Sequence, residues 1–120
     1  MTQRTSSYLR RIAGASCAAF ALAAGCTWAA QAWAAGSLDI TQKNRAFQPK
    51  EVEIGRGDTL QFVNDDGYLL HHVYSKSDAF SFDTGEQQPG TAVSVRFPTP
   101  GSYTVLCGIH PRMRLAVNVR

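Results

Sequence analysis

From Glu51 onward, apolar side chains fall at every second position in short runs, and each run ends in a cluster of Gly, Pro, Asn or Asp. Glu51-Val52-Glu53-Ile54 alternates polar and apolar, then Gly55-Arg56-Gly57-Asp58 turns. Thr59 to Val63 alternates again before Asn64-Asp65-Asp66-Gly67. His71 to Ser75 is rich in β-formers, and Ala79 to Phe82 is a shorter candidate. Thr91 to Phe97 puts Val93, Val95 and Phe97 on one side and Ser94 and Arg96 on the other. After Pro98-Thr99-Pro100-Gly101, Ser102 to Leu106 and then Leu115, Val117 and Val119 continue the pattern. Pieces near Leu38-Ile40 and Phe47 precede it, and Asp83 to Gly90 reads as a loop. A period of two places successive side chains on opposite faces of an extended chain, so one face is buried and the other is wet. No segment carries the helical period. The pattern predicts an all-β protein, an antiparallel β-sandwich of seven or eight strands.

The first 35 residues are of a different character. Residues 1–11 hold Arg4, Arg10 and Arg11 and no acid, Ile12 to Gly25 is uncharged and mostly apolar, and Ala32-Trp33-Ala34 precedes Ala35. A positive start, a short apolar run and a small-residue cleavage site are the layout of a secretory signal. The expected division is a leader over 1–35 and one domain over 36–120, exported to a periplasmic or equivalent compartment. The uncharged stretch is dominated by Ala, which is weak for a permanent membrane helix, so no stable anchor is expected. Lipid attachment at Cys26 is the lesser alternative, and Arg10-Arg11 leaves twin-arginine export open.

This division changes what the composition says. The whole chain carries 12 Lys+Arg against 9 Asp+Glu, but the surplus of three lies in the leader. The domain is formally neutral, so electrostatics give no case for nucleic acid. Cys17 and Cys26 also fall in the leader. Cys107 is then the domain's one cysteine, and no internal disulfide can staple it. A domain this small must be held by its core, to which a metal is one available addition.

The chemistry is concentrated in one loop. Cys107, His110 and Met113 have the spacing C-x2-H-x2-M between two strands, and His71 and His72 stand far upstream at the start of another. Two imidazoles, a thiolate and a weak axial thioether are the donor set of a type 1 copper site. Zinc would use Cys and His but has little use for Met. A Cys–His nucleophile would leave Met113 without a role.

Cys107-Gly108-Ile109-His110-Pro111-Arg112-Met113-Arg114 resembles the copper loop of the cupredoxins, most closely the amicyanin branch with plastocyanins next. Ile54-Gly55-Arg56-Gly57-Asp58-Thr59-Leu60 is similar to the family's "V-x-x-G-D-T-V" turn, and Gly101-Ser102-Tyr103 to the strand leading into the cysteine. The resemblance covers residues 46–120. It implies a Greek-key cupredoxin-like sandwich binding one copper through His71, Cys107, His110 and Met113. His71 is chosen because the family's H-N-V aligns with His71-His72-Val73. Strand parity agrees, since His71 and Val73 share a face. His72 stands where Asn, a brace of the copper loop, is usual.

The resemblance further implies a monomeric one-electron carrier and not an enzyme. It would dock near His110 with redox proteins: an amine dehydrogenase as donor and a c-type cytochrome as acceptor. Tyr68, Leu69, Leu70, Ile109 and Pro111 would form an apolar docking patch, with Arg112 and Arg114 as a positive rim and Asp65 and Asp66 as a negative one. The alternative is a copper-binding or delivery protein with no dedicated redox partner. A copper oxidase or reductase needs a second, His-rich centre, for which only His72 remains.

Overall fold

The computed structural model describes residues 35–120. The expected leader therefore lies outside the described residues, apart from Ala35. Nine strands follow: β1 (Ser37–Lys43), β2 (Ala46–Gln48), β3 (Glu51–Ile54), β4 (Thr59–Asn64), β5 (His71–Ser75), β6 (Phe82–Gln87), β7 (Ala92–Arg96), β8 (Gly101–Cys107) and β9 (Arg114–Val119). They form a four-stranded sheet in the order β2-β1-β4-β7 and a five-stranded sheet in the order β3-β9-β8-β5-β6. Among the described residues there is no helix, and none long and apolar enough to cross a membrane.

The two-residue period becomes the core directly. Leu60, Phe62 and Asn64 of β4 are buried, as are Leu115, Val117 and Val119 of β9 and His71, Val73 and Ser75 of β5. The facing sheets close over Ile40, Phe47, Phe97 and Val105, all at most 1% exposed. Phe80, Phe82, Phe97 and Tyr103 meet edge to face or tilted, with Phe80 and Phe97 centroids 5.4 Å apart. This geometry suits the quadrupoles of the rings. The Tyr103 hydroxyl, brought inside with its ring, donates to the Thr99 carbonyl at 2.7 Å.

Two features depart from the expected antiparallel array. β1 runs parallel to β4, and β3 runs parallel to β9. After β2 the chain leaves the first sheet, forms the edge strand β3 of the second and returns as β4. A connection through the other layer lets neighbours run in the same direction, which a tight hairpin cannot do. Alternation reports which face is buried, not which way a strand points.

The second departure is β6. The segment Asp83 to Gly90 was expected to be a loop, yet Phe82–Gln87 is a strand paired with β5, while Ala79 to Ser81 is not. β6 is an edge strand whose register shifts between His72 and Tyr74, with Gly85 at φ 71°. A bulged edge strand need not alternate apolar residues, and Asp83, Thr84, Glu86 and Gln87 give no hydrophobic signal. Inside the sandwich, Gln87 does polar work: Nε2 donates to Phe62 O at 2.9 Å and Thr91 O at 2.8 Å, and Oε1 accepts from Gln42 Nε2 at 2.7 Å.

Candidate metal centre

β5 and β8 are neighbours, with Val73 opposite Cys107 and Tyr74 opposite Leu106. Directly opposed residues share a face, and so do residues two apart on one strand. His71, Val73 and Cys107 therefore all face inward. His71 is fully buried and Cys107 is 3% exposed. The loop after Cys107 is tied at both ends. Gly108 N–H donates to His72 O at 2.8 Å, and Met113 N–H donates to His110 O at 3.0 Å. The second bond closes a four-residue turn, His110 to Met113, with Pro111 at its second position, where proline's fixed φ is suited. That turn folds His110 back over the strand ends and leaves Met113 1% exposed immediately before β9.

Three donors converge. His71 Nδ1 lies 3.8 Å from Cys107 Sγ, His110 Nδ1 lies 3.7 Å from the same sulfur, and the two Nδ1 atoms are 3.3 Å apart. A point equidistant from three atoms so spaced is about 2.1 Å from each, within the usual reach of metal–nitrogen and metal–sulfur bonds, ~2.0–2.3 Å. The residues thus fit a trigonal metal ion. Met113, buried on the same short loop, is a soft donor type that would suit copper better than zinc. His72 is not in this cluster. Its Nε2 is paired with Asp83 on β6.

Asp66 is the residue that sequence reasoning misplaced. It was expected on an acidic surface rim, but it is 8% exposed, with Oδ2 2.6 Å from His71 Nε2 and Oδ1 2.9 Å from the Asn44 N–H. Burial alone would raise its carboxyl. The Asn44 N–H, the bond to His71 and the positive fields of His71 and His110 outweigh burial and hold it below the ordinary carboxylate range. A carboxylate on one ring nitrogen leaves the other free to bind metal and fixes the ring's orientation. The Asn64-Asp65-Asp66-Gly67 turn is shaped to bring it there. Asn64 Oδ1 accepts the Asp66 N–H at 3.1 Å, and Asn64 Nδ2 donates to Leu69 O and Gln87 O. Asp65, by contrast, is exposed and bonded to Lys43 Nζ at 2.9 Å.

His110 is half-buried and lines a groove with Arg45, Pro111 and Arg112. Its imidazole is held below the usual histidine range, first by burial and then by the charges of His71 and Arg45, against a smaller pull from Asp66. Tyr68 is 82% exposed and Ile109 39% exposed, while Leu69 and Leu70 are half-buried.

Known proteins share this design. A family model described as a cupredoxin-like domain matches residues 16–117. Amicyanin-alpha of Methylorubrum extorquens is 34% identical over 98 residues, 78% of this chain and 81% of that protein. A chloroplastic plastocyanin of Chlamydomonas reinhardtii is 33% identical over 107 residues, 82% of this chain and 71% of that protein. Among solved structures, the Cu(I) form of an amicyanin variant superposes with a TM-score of 0.64 at 21% identity, covering 70% of this chain and 82% of that one. A copper-containing nitrite reductase of Thermus scotoductus reaches 0.65 at 28% identity, but this chain, 70% of it covered, spans only 22% of that enzyme. With its sandwich, its His-Cys-His triangle and a family match over most of its length, the chain belongs to the cupredoxins, whose cofactor is copper.

Proposed function

We propose that this protein is an exported one-electron carrier that holds one copper through His71, Cys107, His110 and Met113. The observation that carries the reading is the convergence of His71, Cys107 and His110 donors on a single point, and Met113 is buried on the loop that carries Cys107 and His110. Bound copper, alternating between Cu(II) and Cu(I), supplies the redox chemistry. The protein's part is to keep the donors nearly still between the two states. His71 and Cys107 sit on paired strands, and hydrogen bonds pin the loop at Gly108 and Met113. Asp66 fixes the ring of His71.

His110 is the port for the electron, because it is the half-buried member of the triangle and borders the surface groove. Tyr68, Ile109 and Pro111 are exposed on the flanking loops and provide apolar contact for a partner. The protein acts on no substrate of its own. Similarity to amicyanin-alpha favours an amine-oxidising chain, with an amine dehydrogenase as donor and a c-type cytochrome as acceptor.

The test is the visible spectrum of the copper-loaded protein. An intense blue band that disappears in Cys107→Ser is expected. A colourless product that retains no copper overturns the proposal. Separate His71→Ala and His72→Ala variants should lose and keep the band, respectively.

A further inference from the structure

The hairpin between β1 and β2 has a two-residue loop, Asn44-Arg45, closed by the pair Lys43 and Ala46. Both loop residues have positive φ, 52° at Asn44 and 57° at Arg45. This is the primed hairpin turn, for which Asn-Gly is the preferred sequence because the second position favours a residue without Cβ. Asn44 suits its place, and its N–H is held by Asp66 Oδ1 at 2.9 Å. Arg45 is an exposed, β-carbon-bearing residue in a backbone conformation that disfavours it. Nothing about the turn itself requires a guanidinium there.

The side chain lines the groove of about 320 Å³ that it shares with His110, Pro111 and Arg112. Arg45 and Arg112 also border the adjoining groove with Lys50 and Arg114. Among the described residues, none of these four cations has a carboxylate within salt-bridge distance. In the other arginine-lined groove Arg120 is bonded to Glu53 at 2.8 Å and Arg96 to the Gly57 carbonyl at 3.2 Å, while Arg56 has no carboxylate partner among the described residues. The domain is formally neutral, yet Arg45 and Arg112, both without a carboxylate partner, line one groove with half-buried His110.

We infer that the Arg45–Arg112 groove beside His110 is the docking site for a redox partner that presents a cluster of carboxylates around its own electron-transfer edge. The inference rests on the electron-carrier reading above and names the partner's chemistry. Two guanidiniums lining one groove with an imidazole bind carboxylates by donating paired N–H bonds. Such local charge speeds and orients encounters even when the net charge is zero. Arg45 is kept at a glycine position for this contact, and the same Asp66 carboxylate that orients His71 holds the turn presenting it.

The experiment measures electron exchange of the copper-loaded protein, at low and physiological salt, with two probes: an acidic c-type cytochrome and a basic one with lysines around its haem edge. The acidic cytochrome should react about tenfold or more faster at low salt and lose that advantage as salt rises. Arg45→Gly and Arg112→Gln should each slow it several-fold at low salt, with the blue band unchanged, while Arg45→Lys retains most of the rate. Arg45→Gly creates the preferred turn sequence, so its thermal midpoint should hold or rise.

Equal rates for the two cytochromes, or no effect of Arg45→Gly, overturns the inference. So does a lower midpoint for Arg45→Gly, which would make Arg45 structural. Inorganic phosphate binding at the groove by chemical-shift mapping, with no preference between cytochromes, would make it a small-anion site and also overturn the inference. A protein without a blue band that exchanges electrons with neither cytochrome refutes the carrier reading instead, so the two failures are distinguishable.

Discussion

The ring of His72 fills the space in front of Gly108: a Cβ on Gly108 would stand 2.7 Å from His72 Nδ1. His72 follows the buried His71 on β5, and Gly108 follows Cys107 at the end of β8. Their backbones are joined by the Gly108 N–H to His72 O bond at 2.8 Å, and the outer nitrogen of the ring is paired with Asp83 on β6. The ends of the two strands that carry His71 and Cys107 are thus joined by a backbone bond, with one imidazole packed against one glycine beside it.

Gly108→Ala should therefore force the His72 ring aside, at a cost of about 1–3 kcal/mol from overpacking. His72→Ala alone should cost less than Gly108→Ala, because the bond it loses, to Asp83, is partly exposed. Combined, the two substitutions should cost less than their sum, with a coupling of about 1 kcal/mol or more. Urea denaturation of the four proteins checks this, and strictly additive costs would contradict it.

Asp66 serves two donors, the His71 ring N–H and the Asn44 N–H. In Asp66→Asn one acceptor oxygen becomes an NH2 group, so one of those donors loses its partner whichever way the amide is turned. Cu(II) affinity should fall by about 10–100-fold, as for other groups that orient a ligand histidine. Competition titration against a chelator measures it, and an affinity within about twofold of the parent would contradict the role.

Gln87 joins the two sheets from inside, holding Phe62 O, Thr91 O and the Gln42 amide. Gln87→Leu removes three bonds and leaves the buried Gln42 amide without its acceptor, although Thr91 O keeps the Asn64 N–H, and should destabilise by about 1–3 kcal/mol. Gln42→Leu should cost less, because Gln42 Oε1 is already buried without a partner. Chemical denaturation of both variants tests the order, which fails if Gln42→Leu is the more damaging.

Asp58 Oδ1 accepts the Gly36 N–H at 2.7 Å, and Oδ2 accepts the Gly55 N–H at 2.8 Å. The Gly36 bond, then the Gly55 bond, lowers its carboxyl below the ordinary value against a small opposing effect of burial. A carboxyl lowered on folding stabilises the protein above its unfolded pKa and loses that contribution as pH falls through the folded pKa. The parent should therefore have a higher thermal midpoint than Asp58→Asn near about pH 7, with the gap closing toward about pH 2. A gap that is constant across the titration would exclude this linkage.

Alternation at Thr59–Val63, Thr91–Phe97 and Leu115–Val119 made most of the sandwich legible, because burial of one face imposes a period of two on any strand with a wet side. β6 was illegible for the complementary reason. At a bulged edge, Asp83, Thr84 and Glu86 are retained by hydrogen bonding and exposure rather than by apolar packing. The expected leader, 1–35, falls almost wholly outside the described residues.

The candidate site divides along the same line. The loop spacing of Cys107, His110 and Met113 is local, and a short turn between two strands keeps those residues close, so sequence alone named donor types that suit copper. Strand parity likewise singled out His71 as the inward-facing member of its pair. Parity says nothing about which strands are neighbours. Only the tertiary structure decided that β5 lies against β8, that Asp66 turns inward to His71 instead of outward to solvent, and that Arg45, some 65 residues before His110 in the chain, faces the same groove. Those relationships join segments far apart in sequence. They follow from how two sheets pack and where their loops converge, which no local period encodes.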